Sequence, residues 1–242
     1  MSRAAPLVLS ALVALAVPAV LLGNGLWLLT NDWYVHAEYA RPGFPDDRYG
    51  LARAERTDLA LVGLDSIHPL NRDGVQVLRE ARLPDGTAAF TEREIAHMAD
   101  VRGLVGKVLL AHAIALGVLV IAAAALRWGL RLRGAVLRAL VAGGLLTLGL
   151  VALLGVYMLV NFDSFFVQFH EALFEGDSWR FRSSDTLIRL YPDAFWSDFG
   201  GVLAVLTVLQ AILLAGGCWW WLRRSRPALA TPVSGGEPAG SH

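Results

Sequence analysis

Hydrophobic and polar positions occur in long blocks along this chain, and four of the blocks are almost purely apolar. The four apolar runs are residues 5–29, 104–126, 135–160 and 199–222. A helix of about 20 apolar residues crosses a hydrocarbon layer of roughly 30 Å. We therefore predict an all-α polytopic membrane protein with four transmembrane helices, the first of which occupies residues 1–30.

Four polar segments separate and follow the predicted transmembrane helices. They are residues 31–103, 127–134, 161–198 and 223–242. We interpret the first as a small domain between helices 1 and 2 and the second as a tight connector. The third should contain an interfacial helix between helices 3 and 4. The last has the composition of a disordered tail.

Basic and acidic residues are segregated, although the formal net charge is zero. The termini and the connector hold eight basic residues and one acidic residue. In contrast, residues 31–107 and 161–199 together hold 13 basic and 20 acidic residues. By the positive-inside rule, both termini and the connector face the cytoplasm. The two large polar segments are then extracytoplasmic.

The first apolar run has two interpretations. Arg3 and the apolar residues after it are also typical of a cleavable signal peptide. We favour an uncut transmembrane helix, because the run continues to Leu29 and ends between Trp27 and Trp33, as in an interfacial aromatic belt. The charge pattern also requires this span.

Few residues inside the apolar runs carry chemistry. His112 is an ionisable group within the second run, and hydrogen bonding to a neighbouring helix is favoured over catalysis there. Cys218 is the only cysteine, so no intrachain disulfide forms. Close helix packing is the expected role of the third run's small residues. These are Gly143, Gly144, Gly149 and Gly155.

Residues 91–107 lead from polar sequence into the second apolar run without a break. Thr91, followed three residues later by Glu94, predicts a capping box and hence a helix start. His97 on this helix lies about 10 Å of helical rise outside the apolar run. Asp100 shares its helix face. An imidazole and a carboxylate are thus expected together at headgroup depth.

Residues 161–179 predict a second helix at the membrane surface, ending near Gly176 and carrying His170. An apolar face follows helical spacing, while the other positions are mostly polar. The face consists of Phe162, Phe165, Phe166, Phe169 and Leu173. A simple membrane anchor is the alternative interpretation of such a helix.

The first polar segment is expected to fold down onto the membrane helices, because some 60 residues make only a small independent core. Residues 74–83 are compatible with a strand or with a short helix. His68, which precedes Pro69, is interpreted as a loop histidine.

The outer face therefore offers two imidazoles, His97 and His170, with carboxylates nearby in sequence. Histidine is well suited to proton transfer near pH 7, and guanidinium groups stabilise oxyanions or hold phosphates. The available cations are Arg102, Arg180, Arg182 and Arg189. The sequence contains neither a GxSxG nor an HExxH motif.

Two blocks of sequence resemble the bacterial lipoprotein intramolecular transacylases of the Lit type. They are FTEREIAHMADVRGL, residues 90–104, and NFDSFFVQFHEALFEGDSW with the following DTLIRLYPDAFWSD, residues 161–198. The resemblance implies the same four-span layout in the bacterial cytoplasmic membrane and a catalytic pair, His97 and His170. The supporting residues in these blocks are Asp100, Arg102, Asp163, Glu171, Trp179 and Asp185.

The resemblance also implies the reaction. The free α-amine of a lipoprotein's N-terminal cysteine attacks the sn-2 ester of its own diacylglyceryl group, so no enzyme nucleophile, metal or cofactor is needed. We assign His170 as general base and His97, oriented by Asp100, as general acid or oxyanion partner, with the reverse assignment open. The expected partners are diacylglyceryl lipoproteins and membrane lipid, with no nucleic acid.

Two other functions are compatible with the residues alone. The chain is alternatively a non-catalytic membrane protein that binds lipid or partner proteins at the outer face, with both histidines structural. A metal-dependent lipid hydrolase is weaker, because His97 and His170 are far apart in sequence and lack a compact ligand motif.

Overall fold

The computed structural model describes residues 4–225. Residues 1–3 and 226–242, and with them most of the predicted tail, lie outside the described residues. The helices are α1 (Ala4–Leu29), α2 (Asp32–Ala40), α3 (Arg53–Ile67), α4 (Gln76–Glu80), α5 (Glu92–Ala124), α6 (Arg133–Val160), α7 (Phe162–Leu173), α8 (Thr186–Leu190) and α9 (Asp193–Arg224). A π-helical turn, Ala125–Gly129, extends α5. Residues 4–225 contain no β-strand, so the all-α prediction is confirmed.

Helices α1, α5, α6 and α9 are long and apolar enough to cross a membrane. They pack side by side, with α1 against α5 and α6, and α6 against α9. Most of their large apolar side chains point outward, as expected for a surface in contact with lipid. The predicted four-span membrane protein is confirmed.

Two glycines let α6 lie between α1 and α9. A Cβ atom added to Gly143 would stand 2.6 Å from Cβ of Val17 on α1, and one added to Gly144 would stand 2.9 Å from Cβ of Ala215 on α9. The predicted close packing is therefore confirmed at these two positions. It is wrong for Gly149 and Gly155, because an added Cβ there meets no atom within 4 Å.

A chain of polar side chains links three spanning helices. Nε2 of His112 on α5 lies 3.1 Å from Oδ1 of Asn24 on α1, and Nδ2 of Asn24 donates to Oε1 of Gln210 on α9 at 3.0 Å. Gln210 in turn donates to the carbonyl of Leu21. The favoured interpretation of His112, hydrogen bonding to a neighbouring helix, is confirmed.

The polar segment after α1 forms a small domain of α2, α3 and α4 on one end of the bundle. Its core is continuous with the spanning helices, since Leu29 of α1 and Phe195 of α9 belong to the same buried cluster. Buried Arg56 donates to the carbonyls of Pro45 and Arg189. The domain thus folds down onto the bundle as predicted, and residues 76–80, left open by the sequence, are helical.

Helix α7 follows α6 with only Asn161 between them. The side chain of Asn161 caps the new helix by accepting from the amide of Ser164 at 3.0 Å. The phenylalanines at helical spacing give α7 one apolar face, and it ends at Leu173, three residues before Gly176. The predicted amphipathic helix between the third and fourth spans is confirmed.

Candidate functional site

His97 lies in the second turn of α5, and its position is fixed by how that helix begins. Glu94 Oε2 accepts from the amide of Thr91 at 2.8 Å, while Thr91 Oγ1 accepts from the amide of Glu94 at 3.3 Å. The predicted capping box is confirmed. A helix of 33 residues is about 50 Å long, against roughly 30 Å of hydrocarbon. His97 therefore lies on the part of α5 that extends beyond the apolar run.

His170 lies in the last turn of α7, and its ring orientation is set by the backbone. Its Nδ1 lies 2.8 Å from the carbonyl oxygen of Phe166. A carbonyl only accepts, so Nδ1 carries the proton. In the neutral ring, Nε2 then has a free lone pair and is the nitrogen able to take a proton.

The two imidazoles face each other across the gap between α5 and α7. Their ring centroids are 6.2 Å apart with an interplanar angle of 28°. Aromatic rings surround them, because the chain turns back over the pair after α7. His97 contacts Phe174 and Phe181, while His170 contacts Phe166, Phe174 and Trp179.

Burial keeps both imidazoles neutral at pH 7. Only 8% of the His97 surface is exposed. Burial, reinforced by nearby His170 and opposed by Asp100, lowers the pKa of His97 to about 4. Burial also lowers the pKa of His170, against the opposing effect of the Phe166 carbonyl. The site therefore presents two uncharged rings in a poorly hydrated space.

Three polar atoms at this site, or next to it in sequence, are buried without a hydrogen-bond partner among residues 4–225. They are Nδ1 of His97, Oγ of Ser178 and Nε1 of Trp179. Buried polar groups are nearly always paired, and an orphan calls for an explanation such as a ligand or a catalytic role. A reacting group bound between the rings would supply the missing partners.

The loop that follows α7 is fastened to the start of α5. Arg93 donates to the carbonyl of Asp177 at 2.6 Å and its guanidinium lies over the ring of Phe181. Glu94, fully buried, accepts from the amide of Leu187 at 2.8 Å through Oε1. One carboxylate thus holds both the helix of His97 and the far end of the loop that carries Trp179.

The structure brings only some of the predicted supporting residues to the pair. Trp179 packs on His170. Glu171 pairs with Arg180 at 3.3 Å, and Arg180 lies over the ring of Trp179, so this pair borders the site. Asp100 is exposed and influences the charge state of His97, but the predicted orienting hydrogen bond to His97 is not formed.

The other three supporting residues lie elsewhere. Arg102 donates to the carbonyls of Ser66, His68 and Asn71, where it closes the end of α3. Asp185 accepts from the amide of Arg182 and precedes α8. Asp163 is exposed and, within the described part of the chain, its side chain has no hydrogen bond or ion pair.

Sequence reasoning missed two residues that line the site. Phe174 and Phe181 both fall within residues 161–198, but nothing in their spacing marks them as covering His97. The link from Glu94 to Leu187 is also missed, because it joins residues 93 positions apart. Among the described residues, no group of three or more His, Cys, Asp or Glu is arranged to hold a metal ion.

Comparisons with known proteins agree with this architecture. The family described as lipoprotein intramolecular transacylase Lit matches residues 15–196. A protein of Aquifex aeolicus, described as uncharacterized, is 33% identical over 206 residues, which cover 85% of this chain and 91% of that protein.

Solved structures of the membrane integral lipoprotein intramolecular transacylase Lit from Bacillus cereus have the same fold. One is similar with a TM-score of 0.64 and 19% identity, over 92% of this chain and 95% of that chain. Another, of a variant with a histidine replaced by alanine, has a TM-score of 0.62 and 18% identity, over 93% and 96% of the two chains.

Proposed function

The chain belongs to the Lit family of lipoprotein intramolecular transacylases, and from this premise we propose which bond it makes and which it breaks. It moves the sn-2 acyl chain of a diacylglyceryl lipoprotein to the α-amine of that lipoprotein's N-terminal cysteine. The product has one amide-linked and one ester-linked chain. Family membership makes the protein an acyl-transferring membrane enzyme and decides against the non-catalytic alternative.

The reaction needs proton transfer and an oxyanion site. The α-amine forms a C–N bond to the ester carbonyl and gives a tetrahedral adduct, from whose nitrogen a proton must be removed. Collapse of the adduct breaks the C–O bond, and the departing glyceryl oxygen takes up a proton. No covalent enzyme intermediate is required, because both reacting groups belong to one substrate.

His170 is suited to the proton transfers. Its Nδ1–H is held by the Phe166 carbonyl, which leaves Nε2 as the base. The ring is neutral before reaction because burial lowers its pKa. Nε2 takes the proton from nitrogen as the adduct forms and returns it to the glyceryl oxygen as the adduct collapses, so the protons balance over one turnover.

His97 is better suited to hold the oxyanion than to act as base. With its pKa lowered to about 4, it binds a proton weakly, but as a neutral ring it still donates one hydrogen bond. The unpartnered Nε1–H of Trp179, whose ring packs on His170, offers a further donor, and the unpartnered hydroxyl of Ser178 precedes it in the chain. Donors fixed in a dry site stabilise developing negative charge strongly.

The observation that carries this proposal is the enclosure of two facing neutral imidazoles by aromatic rings. Water in such a site would hydrolyse the ester, whereas an enclosed amine transfers the acyl chain intramolecularly. The Phe174, Phe181 and Trp179 rings supply the cover. The supporting residues other than Trp179 act on this pair only through charge or through the position of neighbouring segments.

The charge distribution supports a bacterial cytoplasmic membrane location with both termini inside and the histidine pair outside. In a Cys218→Ser background, Arg48→Cys on the small domain should react with a membrane-impermeant maleimide in intact cells. Arg133→Cys, at the other end of the bundle, should react only after the membrane is opened. Labelling with the opposite pattern would reverse the topology.

The reaction is tested by mass spectrometry of a tracer lipoprotein's N-terminal peptide, in cells that lack their own N-acylation. Cells with the wild-type protein should convert the diacyl peptide to the form with one amide-linked chain. The His97→Ala and His170→Ala variants, at matched protein levels, should leave the diacyl form, since loss of an acid–base group costs about 10²–10⁴-fold in rate.

His36→Ala is the matched control, because His36 is an exposed histidine of α2 that does not contact the pair. It should support full conversion. Persistence of the diacyl form with folded wild-type protein, or full conversion by either variant of the pair, would sink the proposal.

A further inference from the structure

A second polar cluster lies between α2 and the start of α9, away from the histidine pair. Glu38 of α2 is 5% exposed and accepts from Nε and Nη2 of Arg41 at 3.0 and 2.9 Å. Nη2 of Arg41 also donates to Asp198 of α9. Two carboxyl groups from different helices therefore share one guanidinium, and no contact joins these three residues to His97 or His170 within residues 4–225.

The cluster borders an open cavity of about 360 Å³. Tyr34, Glu38 and Arg41 form its polar wall. The apolar wall comes from Trp33, Ala37, Ala40 and Val202. Val202 lies one turn beyond Asp198 in the apolar run of α9, so the cavity continues from charged groups toward the lipid-facing surface of the bundle.

The hydroxyl of Tyr34 points to a missing ligand. Tyr34 is 3% exposed, lines the cavity, and its Oη has no hydrogen-bond partner in the described part of the chain. Its ring is held by edge contacts with Phe195 and Phe199, so the hydroxyl is fixed in place. A buried hydroxyl in a rigid position needs a partner, and a molecule in this cavity would provide one.

The charges of the cluster favour a cation. One guanidinium faces two carboxyl groups, which leaves one negative charge uncompensated when both are ionised. Burial raises the pKa of Glu38, Arg41 opposes this, and nearby Asp198 raises it further. A ligand ammonium in the cavity that donates to Glu38 would offset the excess negative charge that Glu38 shares with Asp198.

The free Nη1 of Arg41 and the position of the cavity near the end of a spanning helix favour a ligand that also carries a phosphate and acyl chains. Arg41 uses Nε and Nη2 for its two carboxylates, which leaves Nη1 available to a phosphate. The cavity begins at α2, which is separated from α1 by two residues, and Trp33 on its wall is exposed, as is typical of the membrane–water interface. Lipid headgroups lie at this membrane–water interface.

We propose that this cavity binds the headgroup of a bilayer phospholipid with a primary ammonium, of the phosphatidylethanolamine type. The ammonium donates to Glu38 on the cavity wall, with Asp198 nearby across Arg41, and the phosphate accepts from Arg41 Nη1 and Tyr34 Oη. An acyl chain follows Val202 along α9. The lipid so bound fastens α2 to α9, and this site is independent of the acyl transfer proposed for the histidine pair.

The test is native mass spectrometry of the full-length protein with three lipids of identical acyl chains. Phosphatidylethanolamine should bind about tenfold more than phosphatidylcholine, whose trimethylated nitrogen donates no hydrogen bond, and than phosphatidylglycerol, which has no ammonium. Glu38→Gln should lower phosphatidylethanolamine binding about tenfold and remove the preference among the three. Equal binding of the three lipids to wild type would overturn the proposal.

Further variants keep the test decisive. Tyr34→Phe keeps the ring packing and should weaken binding several-fold through loss of the phosphate contact. If Glu38→Gln fails to fold, Asp198→Asn replaces it, because the Asp198 side chain is 39% exposed. His36→Ala on the same helix should bind as wild type. Unchanged phosphatidylethanolamine binding by both Tyr34→Phe and a folded carboxylate variant overturns the proposal.

A diacylglyceryl lipopeptide with a free α-amine has the same ammonium and acyl chains, so it is tested in parallel. If Glu38→Gln loses lipopeptide binding and keeps phosphatidylethanolamine binding, the cavity is a substrate site and the lipid proposal is wrong. The Glu38→Gln protein should still carry out N-acylation in the tracer assay. If the protein fails to bind the lipid but still transfers the acyl chain, only the proposal for this cavity is wrong, and the proposed acyl transfer is unaffected.

Discussion

His97 and His112 lie on the same helix, α5, about 22 Å apart along its axis, and their surroundings differ in one respect. His112 is hydrogen-bonded to Asn24 and through it to Gln210, so its polar edge is satisfied within the bundle. Nδ1 of His97 is buried with no partner in residues 4–225, and its ring faces a second imidazole. The difference teaches that a paired histidine joins helices, whereas an unpaired one beside other orphan groups is available to a substrate.

Among substitutions that keep both histidines, removing one orphan donor should produce the largest effect. Trp179→Phe keeps an aromatic ring over His170 and deletes only the indole N–H and part of the ring. Loss of one oxyanion donor costs about 10²–10³-fold in rate, so transfer in the tracer assay should fall by that factor.

Trp196→Phe, at an exposed tryptophan of α9, is the matched control and should retain the wild-type rate. Equal rates for the two variants would show that the Trp179 N–H does not take part in the reaction, and would weaken the distinction between paired and unpaired groups.

The protonation of His97 as a function of pH is the next test of the contrast between His97 and His112. Because burial lowers the pKa of His97 to about 4, its ring should stay neutral as pH falls through 6.5, the usual value. The unfolded chain takes up a proton in that range and the folded chain does not, so the free energy of unfolding should decrease between pH 6.5 and about 4.

Histidine-selective NMR of the protein in micelles would follow this titration, with His97→Gln to assign the signal. At pH 5 the protonated form of His97 should be about tenfold less populated than its neutral form. A midpoint at or above 6.5 would mean that the pair is hydrated, contrary to the proposed dry site.

Breaking the chain of polar side chains formed by His112, Asn24 and Gln210 should lower the stability of the protein and leave acyl transfer nearly unchanged. Asn24→Leu removes the partner of both His112 and Gln210, and such hydrogen bonds within bilayers contribute about 0.6–2 kcal/mol. Thermal unfolding in detergent should occur a few degrees lower, while the rate of transfer at 25 °C stays within about twofold.

Two substitutions test the close contact between Gly23 of α1 and His112 of α5. A Cβ on Gly23 would lie 2.4 Å from Cδ2 of His112, so Gly23→Ala should destabilise the protein. Adding His112→Ala should restore part of that loss by making space. Absence of any rescue would contradict the close contact between α1 and α5.

Asp100→Asn should have the smallest effect. Asp100 is exposed and influences His97 only through its charge, so the rate should change less than about threefold. The substitution should lower the pKa of His97 slightly, because Asp100 opposes the effect of burial. A rate loss above about 10²-fold would restore Asp100 as a direct partner of His97.

Local pattern predicted much of the fold. The four spans follow from apolar runs, the start of α5 from Thr91 and Glu94, and the face of α7 from its phenylalanines, because each depends on residues near in sequence. The pairing of His97 and His170 came from resemblance to a family. Periodicity alone does not bring two segments together.

Contacts between distant segments could not be predicted in this way. Trp179 over His170, the Glu94 bond to Leu187, and the Glu38 cluster with Asp198 each depend on how helices are arranged. No pattern in the polar segment of residues 31–103 marks Glu38 and Arg41, yet they form a charged cluster there. Conversely, Arg102 was predicted to support the site, but its guanidinium donates to a backbone carbonyl at the end of α3.

The bond from Glu94 to Leu187 also has a consequence for biosynthesis. The ribosome makes Leu187 93 residues after Glu94, so a nascent chain inserts its first two spans while this carboxylate still has no partner from α8. His170 and the loop of Trp179 emerge later still than the third span. A polypeptide interrupted before that point contains only one imidazole of the proposed pair, so we expect it to be inactive in acyl transfer.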